Sequence, residues 1–287
     1  MAVLVATGCG GGRSASSDDR EVPVTPSTVV SLSPAITTTL VDLGESDRVV
    51  GRTPWCRGVD ECPVVGTLEG VDAEVLVALE PSVVLHQPAA SGSDPVLLEL
   101  EQRLGFECWG ARLDGVDDVL LLLDRIERLG LASGDRLDER RQALLAVGDH
   151  DVRSDDPLAV VLHSVDPVGV AGEDTYLGEL ARAAGMRNAA GPGGWREWSV
   201  EMLVSSEPEV VVVFTGSGME EAVRGRLEAI EWPRPPAIVI VSNPDAFEPS
   251  TRMPEVLADL RRRMGDAGIP VDGPLDPRSE GDVNGDP

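Results

Sequence analysis

The chain has 287 residues and a formal net charge of −26, with 50 acidic residues against 24 basic residues, all of them arginine. A hydrophobic fraction of 42% is typical of globular proteins, and the length suits two α/β lobes. The charge argues strongly against a nucleic acid partner or an anionic membrane surface, since both bind basic proteins.

Residues 1–27 are predicted to be a lipoprotein signal remnant followed by a flexible tether. Residues 6–9 resemble the site at which bacterial lipoproteins are lipidated on a cysteine, here Cys9, and residues 10–19 have the composition of a linker. We therefore expect an exported protein of the cell envelope, in the periplasm or on the outer face of the cytoplasmic membrane, that touches the membrane only through a lipid on Cys9. The alternative is an incidental cysteine, because the charged start of a signal peptide is missing.

Residues 28–132 are predicted to form an N-terminal lobe in which strands and helices alternate. The hydrophobic pattern predicts strands at residues 28–32, 48–51, 64–65, 83–86 and 106–109, and helices at residues 36–43, 97–104 and 116–129. Gly44 is predicted to end the first helix.

Residues 133–150 are predicted to form one long, solvent-facing interlobe helix, because a few leucines stand among Arg, Asp and Glu. Residues 151–268 are predicted to form a C-terminal lobe, with strands at residues 158–163, 210–214 and 237–241 and helices at residues 176–184, 220–230 and 253–264. Residues 269–287 are rich in Pro, Gly and Asp and are expected to be a disordered acidic tail. The fold class is therefore α/β, with parallel sheets covered by helices and a ligand cleft between the lobes.

A fourteen-residue stretch occurs twice in the chain, 127 positions apart. Residues 72–85 are DAEVLVALEPSVVL and residues 199–212 are SVEMLVSSEPEVVV, with seven identical positions. Each copy predicts a short helix, a break at Glu-Pro and a buried Val-rich strand. The repeat indicates two similar lobes, and it places one carboxylate, Glu74 or Glu201, at the same position in each lobe.

Three further cysteines are candidates for a disulfide, because export would place them in an oxidising compartment. Cys56 and Cys62 bracket a loop of five residues and could close it, whereas Cys108 could pair with either of them. The connectivity stays open at this point. No metal site is predicted, since the cysteines lack a CxxC pair and no His-rich spacing accompanies them.

We expect no enzymatic activity. The chain contains neither GxSxG nor HExxH, and without lysine it has no phosphate-binding loop. The segment Gly216-Ser217-Gly218 follows a predicted strand, and an ordinary strand-to-helix turn explains it. A two-lobed enzyme such as a glycosyltransferase is the least favoured alternative.

Five segments occur in the order found in a known family: VVSLSPAITTTLVDLG, RVVGRTPWC, PVVGTLEGVDAEVLVALEPSVVLHQ, TYLGELARAAGMRNAA and WSVEMLVSSEPEVVVV. The chain thereby resembles, over residues 29–264, the class III substrate-binding proteins of ABC importers, which carry cobalamin, ferric siderophores or haem. The resemblance implies two Rossmann-like lobes with parallel sheets, joined by one long α-helix. It also implies a monomer without a cofactor that delivers a small molecule to the subunits of a membrane permease.

In this family one Glu on the outer surface of each lobe docks onto the permease, and Glu74 and Glu201 match those positions. Both follow a predicted helix N-cap, where a carboxylate suits the helix dipole. The alternative is that they only stabilise a first helical turn, by about 0.3–1 kcal/mol each. Glu80 and Glu207 repeat equally well but precede proline, and they are predicted to end their helices.

The resemblance places the ligand on loops that follow the strands. By position these loops supply eight candidate contacts: Ser33, Pro34, Trp55, His86, Gln87, Trp195, Arg196 and Trp198. Tryptophan faces suit a flat, partly apolar ring such as a corrin or a porphyrin. Each tryptophan could instead be a packing residue that covers a loop.

The segment RVVGRTPWC is most similar to the cobalamin-binding branch, which makes a corrinoid the expected ligand. A ferric siderophore is the first alternative, and Arg52, Arg57 and Arg196 could supply the positive charge that it requires. Haem would need an axial ligand, for which His86 and His163 are candidates. Alternatives from other classes are a ligand-sensing lipoprotein without transport and a surface protein with an empty cleft.

Overall fold

The computed structural model describes residues 27–67, 70–89, 92–148 and 151–270. The predicted lipidation site Cys9, the tether up to residue 26 and the tail from residue 271 lie outside the described residues.

The N-terminal half folds around a four-stranded sheet. In chain order its elements are β1 (Val29–Leu32), α1 (Pro34–Leu43), β2 (Val49–Gly51), β3 (Gly66–Thr67), β4 (Gly70–Val71), α2 (Ala73–Leu79), β5 (Val83–His86), α3 (Pro95–Leu104), β6 (Glu107–Gly110) and α4 (Val116–Arg128). The sheet has the order β2-β1-β5-β6 and is entirely parallel, while β3 and β4 form a separate antiparallel ribbon.

The C-terminal half contains a larger, mixed sheet. Its elements are α5 (Asp135–Gly148), β7 (Leu158–Val165), β8 (Val168–Ala171), α6 (Tyr176–Ala183), β9 (Arg187–Asn188), β10 (Trp195–Trp198), α7 (Val200–Ser205), β11 (Val210–Phe214), α8 (Glu220–Glu228), β12 (Ala237–Val241) and α9 (Met253–Asp266). The strand order is β10-β8-β7-β11-β12, with β9 beside β7.

The predicted α/β fold class is confirmed, with one correction in the second sheet. Strands β7, β9, β11 and β12 are parallel, but β8 runs antiparallel to both β7 and β10. The sequence analysis predicted neither β8 nor β10, because each is only four residues long and neither has a clear alternation of polar and apolar residues.

The two copies of the repeat have the same local structure. The side chain of Asp72 caps α2 by accepting from the backbone of Val75, and Ser199 caps α7 in the same way. The residue that ends each helix, Glu80 or Glu207, has a φ of 44°, and among the described residues only these two non-glycine residues have a positive φ. The proline that follows prevents continuation of the helix, so the chain turns at once into β5 or β11.

Helix α5, the first element of the C-terminal half, packs against α4 of the N-terminal half and against α6 and α9 of its own half. It has 14 residues and is therefore about 21 Å long. The helix was predicted to face solvent, but one of its faces is buried, with Leu137, Leu144 and Val147 in the interior. They belong to one apolar cluster that includes side chains of both sheets. The predicted lobe boundaries stay predictions.

A buried carboxylate joins the halves at one end of α1. Asp42 is fully buried and pairs with Arg140 of α5 at 2.7 Å and with Arg252, which precedes α9, at 2.9 Å. Arg140 also reaches Glu255 of α9, at 2.5 Å. Three helices from both halves are therefore tied at one point by charge-assisted contacts.

Candidate ligand-binding site

Two predicted site residues meet where β1 and β5 end. Because these parallel strands are neighbours, their carboxyl ends bring Ser33 and Gln87 together, and the Ser33 hydroxyl donates to Gln87 Oε1 at 2.5 Å. Ser33 is the single residue between β1 and α1, where it also caps the helix, whereas Pro34 is the first residue of α1 and does not lie on the predicted loop. The Ser33 side chain is buried, whereas Gln87 is exposed at this edge of the sheet.

His86 lies in the interior of the N-terminal half. It is buried, and Ser93 Oγ is 3.4 Å from its Nε2. A Cβ at Gly110 would come within 3.0 Å of the same nitrogen, which shows how tightly the ring is packed. Burial lowers the pKa of His86 below its ordinary value. These surroundings suit a neutral packed side chain better than a ligand contact.

The predicted disulfide between Cys56 and Cys62 is absent, since both cysteines and Cys108 are free. The thiol of Cys56 lies in a buried polar cluster, 2.9 Å from Thr37 Oγ1 and 3.2 Å from Thr53 Oγ1. The thiol of Cys62 instead donates to the carbonyl oxygen of Val49 at 2.9 Å. Cys56 therefore helps to fix the start of the loop after β2.

The predicted residues Trp195, Arg196 and Trp198 lie on the edge strand β10 rather than on a loop. Because side chains alternate along a strand, Trp195 and Trp198 face opposite sides of the sheet. Trp198 packs against a cluster of buried valines and leucines. Arg196 donates to the carbonyl oxygens of Ala190 and Pro192. Of these three residues, Trp195 alone presents an exposed ring.

Trp195 is connected to the N-terminal half through a short series of contacts. Its ring lies 5.6 Å from that of Tyr176, and the buried Tyr176 hydroxyl donates to the carbonyl oxygen of Ala246 at 3.0 Å. Ala246 belongs to the one-turn helix Pro244–Phe247 that follows β12. Asp245 in that turn is bound by Arg57, which is two residues from Trp55.

Three half-exposed aromatic residues belong to this series of contacts or lie within two residues of a member of it. Trp55 is 48% exposed, Trp195 46% and Phe247 45%, and no other Trp, Tyr or Phe among the described residues is exposed. We call these three residues the aromatic face. Phe247 was not among the contacts predicted from the sequence, although it follows the carboxyl end of β12 as other predicted contacts follow their strands.

All three arginines considered for an anionic ligand already have partners within the protein. Arg52 donates to the carbonyl oxygens of Thr53, Asp60 and Cys62, each at 3.1 Å. Arg57 forms ion pairs with Asp245 at 2.9 Å and Glu248 at 3.3 Å. Arg196 is held by the two carbonyl oxygens described above. Each of the three guanidinium groups would therefore have to give up partners within the protein before it could bind an anionic ligand.

His163 and a small cavity lie beside Trp195. The exposed His163 ring packs edge-on against the Trp195 ring, with the two centroids 5.1 Å apart. A cavity of about 310 Å³ opens where β7 and β11 end, lined by His163, Thr215 and Met219 among others.

Glu74 and Glu201 are both exposed, in the first turns of α2 and α7. Each helix leads back into the start of a parallel strand, β5 or β11, so its first turn lies toward the carboxyl edge of the sheet. The hydrogen bond from Ser199 lowers the pKa of Glu201. Large apolar side chains beside them are also exposed, Val77 on α2 and Met202 on α7.

Within the described ranges, no helix is long and apolar enough to cross a membrane. The same residues contain no group of three or more His, Cys, Asp or Glu side chains placed to hold a metal ion.

No family model matches the chain. It is 25% identical over 214 residues to the "Cobalamin-binding protein" of Halobacterium salinarum strain R1, covering 71% of this chain and 58% of that protein. It is 26% identical over 222 residues to an "Uncharacterized ABC transporter substrate-binding lipoprotein YvrC" of Bacillus subtilis, covering 70% of this chain and 68% of that protein. The chain thus matches little more than half the length of the Halobacterium protein.

Solved structures share the fold. The periplasmic vitamin B12 binding protein BtuF of Vibrio cholerae superposes with a TM-score of 0.62 at 15% identity, covering 85% of this chain and 98% of that one. The periplasmic heme-binding protein RhuT of Roseiflexus sp. RS-1 gives a TM-score of 0.64 at 23% identity, covering 85% of this chain and 99% of that one. The fold is that of the two-lobed periplasmic binding proteins. The predicted resemblance to substrate-binding proteins of ABC importers is thereby confirmed.

Proposed function

We propose that this protein is the substrate-binding component of an ABC importer and that it carries a cobalamin-like corrinoid between its lobes. The relatives named for cobalamin binding and for ABC transport support the class of function. The observation that carries the choice of ligand is the aromatic face: a chain with only 3% aromatic residues exposes three of them at, or within two residues of, the contacts that link Trp195 to Arg57.

The aromatic face suits a large, flat, partly apolar ligand. Trp and Phe rings bury large apolar areas and stack on extended ring systems, so three of them can hold a corrin ring by contact area alone. Trp55 comes from the N-terminal half, whereas Trp195 and Phe247 come from the C-terminal half. A ligand that touches all three therefore bridges the two lobes.

The arginines favour a corrinoid over a ferric siderophore. Catecholate and citrate siderophores are strongly anionic and need several free cationic side chains. Arg52, Arg57 and Arg196 are occupied by carbonyl oxygens or carboxylates. A siderophore would have to displace these partners, whereas a corrinoid would not.

Haem is a second candidate, because one observation favours it. His163 is exposed and lies against the Trp195 ring, so it could coordinate iron beside an aromatic face. Tyr176 is less suited, since its hydroxyl is buried and bound to Ala246. The structural likeness to RhuT, at 23% identity, concerns the fold alone.

Glu74 and Glu201 are the proposed contacts to the permease. Each is exposed next to an exposed apolar side chain, Val77 or Met202, a combination that suits a docking surface. The protein would be held at the cell envelope through Cys9, act as a monomer and perform no bond chemistry. A ligand sensor would share the cleft but would have no use for these two carboxylates.

Ligand contact is tested by quenching of tryptophan fluorescence on titration with cyanocobalamin. Trp55→Ala, Trp195→Ala and Phe247→Ala should each weaken binding roughly tenfold or more, as expected for central aromatic contacts. Trp232→Phe is the control, because Trp232 binds the Leu227 carbonyl oxygen away from the face. Wild-type affinity in all three alanine variants would refute the aromatic face as the site.

Docking is tested separately by uptake. The double variant Glu74→Ala/Glu201→Ala should bind cyanocobalamin with unchanged affinity and lose transport, whereas the exposed control Glu99→Ala should retain both. Transport that survives in the double variant would refute the docking role. Tight ligand binding by a wild-type protein that supports no uptake with any permease of its cell would favour the sensor.

A further inference from the structure

His163 lies at an irregularity near the carboxyl end of β7. The pairing of β7 with β8 shifts register between Leu162 and Ser164, so His163 is the extra residue of a β-bulge. Bulges of this kind re-aim a side chain and are common beside functional sites. The four residues before His163 are buried, whereas His163 is exposed. The bulge therefore turns an imidazole ring out of the core.

Both ring nitrogens of His163 are without a protein partner in the part of the chain that the structure describes, since neither forms a hydrogen bond or an ion pair there. His86, by contrast, is buried with its Nε2 3.4 Å from Ser93 Oγ. Burial of part of the ring lowers the pKa of His163 below its ordinary value, so the ring is uncharged at neutral pH and one nitrogen keeps a free lone pair. An imidazole of this kind is a good ligand for a transition metal.

Neighbouring groups hold the His163 ring in place. It packs against Gly169 of β8, where an added Cβ would come 2.5 Å from Nε2. It also packs against the Trp195 ring, with 5.1 Å between the centroids and 89° between the planes. A ring that stacks on a macrocycle is parallel to it, whereas an imidazole that binds the central metal is perpendicular to it. The angle between Trp195 and His163 therefore fits one flat, metal-containing ligand that contacts both.

We propose that His163 binds the cobalt of the carried corrinoid through a ring nitrogen, and that the protein thereby selects corrinoids with an exchangeable axial ligand, such as aquocobalamin, over cyanocobalamin. This inference rests on the proposed function and specifies its class of ligand. The imidazole lone pair forms a Co–N bond while the Co–O bond to the axial water breaks and the water leaves. Cobalt stays Co(III), so the exchange needs no oxidant or reductant. Cyanide binds Co(III) far more tightly than water does and stays in place.

The test compares aquocobalamin with cyanocobalamin by absorption spectroscopy and calorimetry, on protein that carries no histidine tag. When the wild type binds aquocobalamin, the corrin absorption bands should move to the positions that they take in excess free imidazole. The bands of cyanocobalamin should not move in this way. The affinity for aquocobalamin should exceed that for cyanocobalamin roughly tenfold or more, because a metal ligand contributes at least as much as the groups that support it.

Two variants address the imidazole and its position. His163→Gln keeps a polar side chain but supplies no imidazole, so it should abolish the shift and reduce the affinity for aquocobalamin to that for cyanocobalamin. Gly169→Ala should weaken the shift, because the new Cβ displaces the ring. His150→Ala is the matched control, since it removes one of the other two histidines of the chain and should retain the full shift.

The outcomes separate this inference from the proposed function. If the wild type binds both corrinoids equally well and without the shift, His163 does not bind cobalt, although the protein still carries a corrinoid. A shift that persists in His163→Gln, or that disappears in His150→Ala, also overturns the assignment to His163. If neither corrinoid binds, the proposed function and this inference are both wrong.

Discussion

The buried carboxylate of Asp42 gives the sharpest prediction about stability. Asp42 is 0% exposed and lies within 2.9 Å of two guanidinium groups, from Arg140 and Arg252. The substitution Asp42→Ala removes this buried acceptor and leaves Glu255, at 2.5 Å from Arg140 and 3.8 Å from Arg252, as the carboxylate that the two guanidinium groups still share.

Breaking a buried pair by removing one partner costs about 3–5 kcal/mol. For a protein of this size each kcal/mol lowers the melting temperature by about 2–4 °C, so Asp42→Ala should melt roughly 6–20 °C below the wild type. Asp42→Asn keeps the shape and one acceptor oxygen and should therefore be less destabilising than Asp42→Ala.

The assay is urea and thermal unfolding followed by circular dichroism, with Glu99→Ala as the control. Glu99 pairs with Arg103 on α3, and both side chains are at least 66% exposed, so its loss should cost no more than about 1 kcal/mol. If Asp42→Ala costs no more than Glu99→Ala, then Asp42 does not tie the three helices together.

Three further predictions concern stability. Glu179 accepts from the backbone N–H of Val116 at 2.7 Å, so Glu179→Ala should cost about 1–3 kcal/mol in urea unfolding and Glu179→Gln clearly less; equal losses would contradict the hydrogen bond. Burial lowers the pKa of His86, so the unfolded chain takes up a proton more readily than the folded one. The contribution of His86 to the free energy of unfolding is complete above the ordinary His pKa of 6.5 and is lost as the pH falls below it. If the variant His86→Asn loses stability equally steeply between pH 6.5 and 5, this assignment is refuted. The net charge of −26 should make the free energy of unfolding rise between 0.05 and about 1 M KCl, and a fall over that range would contradict self-repulsion as the dominant charge effect.

The long periodic elements were predicted well from the sequence, because the same residues favour the local secondary structure and supply the apolar side chains of the core. The Val-rich runs became β5 and β11, and the Glu-Pro breaks ended α2 and α7. Strand β10 was missed because WREW has two charged side chains and is held in place by its antiparallel pairing with β8, a long-range contact without a local pattern.

The candidate site was predictable only in part. The position of Trp55 follows from strand order, but the spacing of Cys56 and Cys62 gave no information on where each thiol points. The thiols bind Thr37 and Val49, respectively, and not each other. The partners of Arg57 lie 188 and 191 positions away, in the opposite half. Such contacts depend on how the lobes meet, which single-sequence patterns do not encode.

The most direct test of the central claim is calorimetric titration of the wild-type protein with cyanocobalamin, with hemin and a ferric siderophore titrated in parallel. The proposed function predicts saturable, equimolar binding of cyanocobalamin with a dissociation constant below about 10 μM, and weaker or no binding of the other two. Absence of cyanocobalamin binding at that concentration, together with tight binding of hemin or the siderophore, would contradict it.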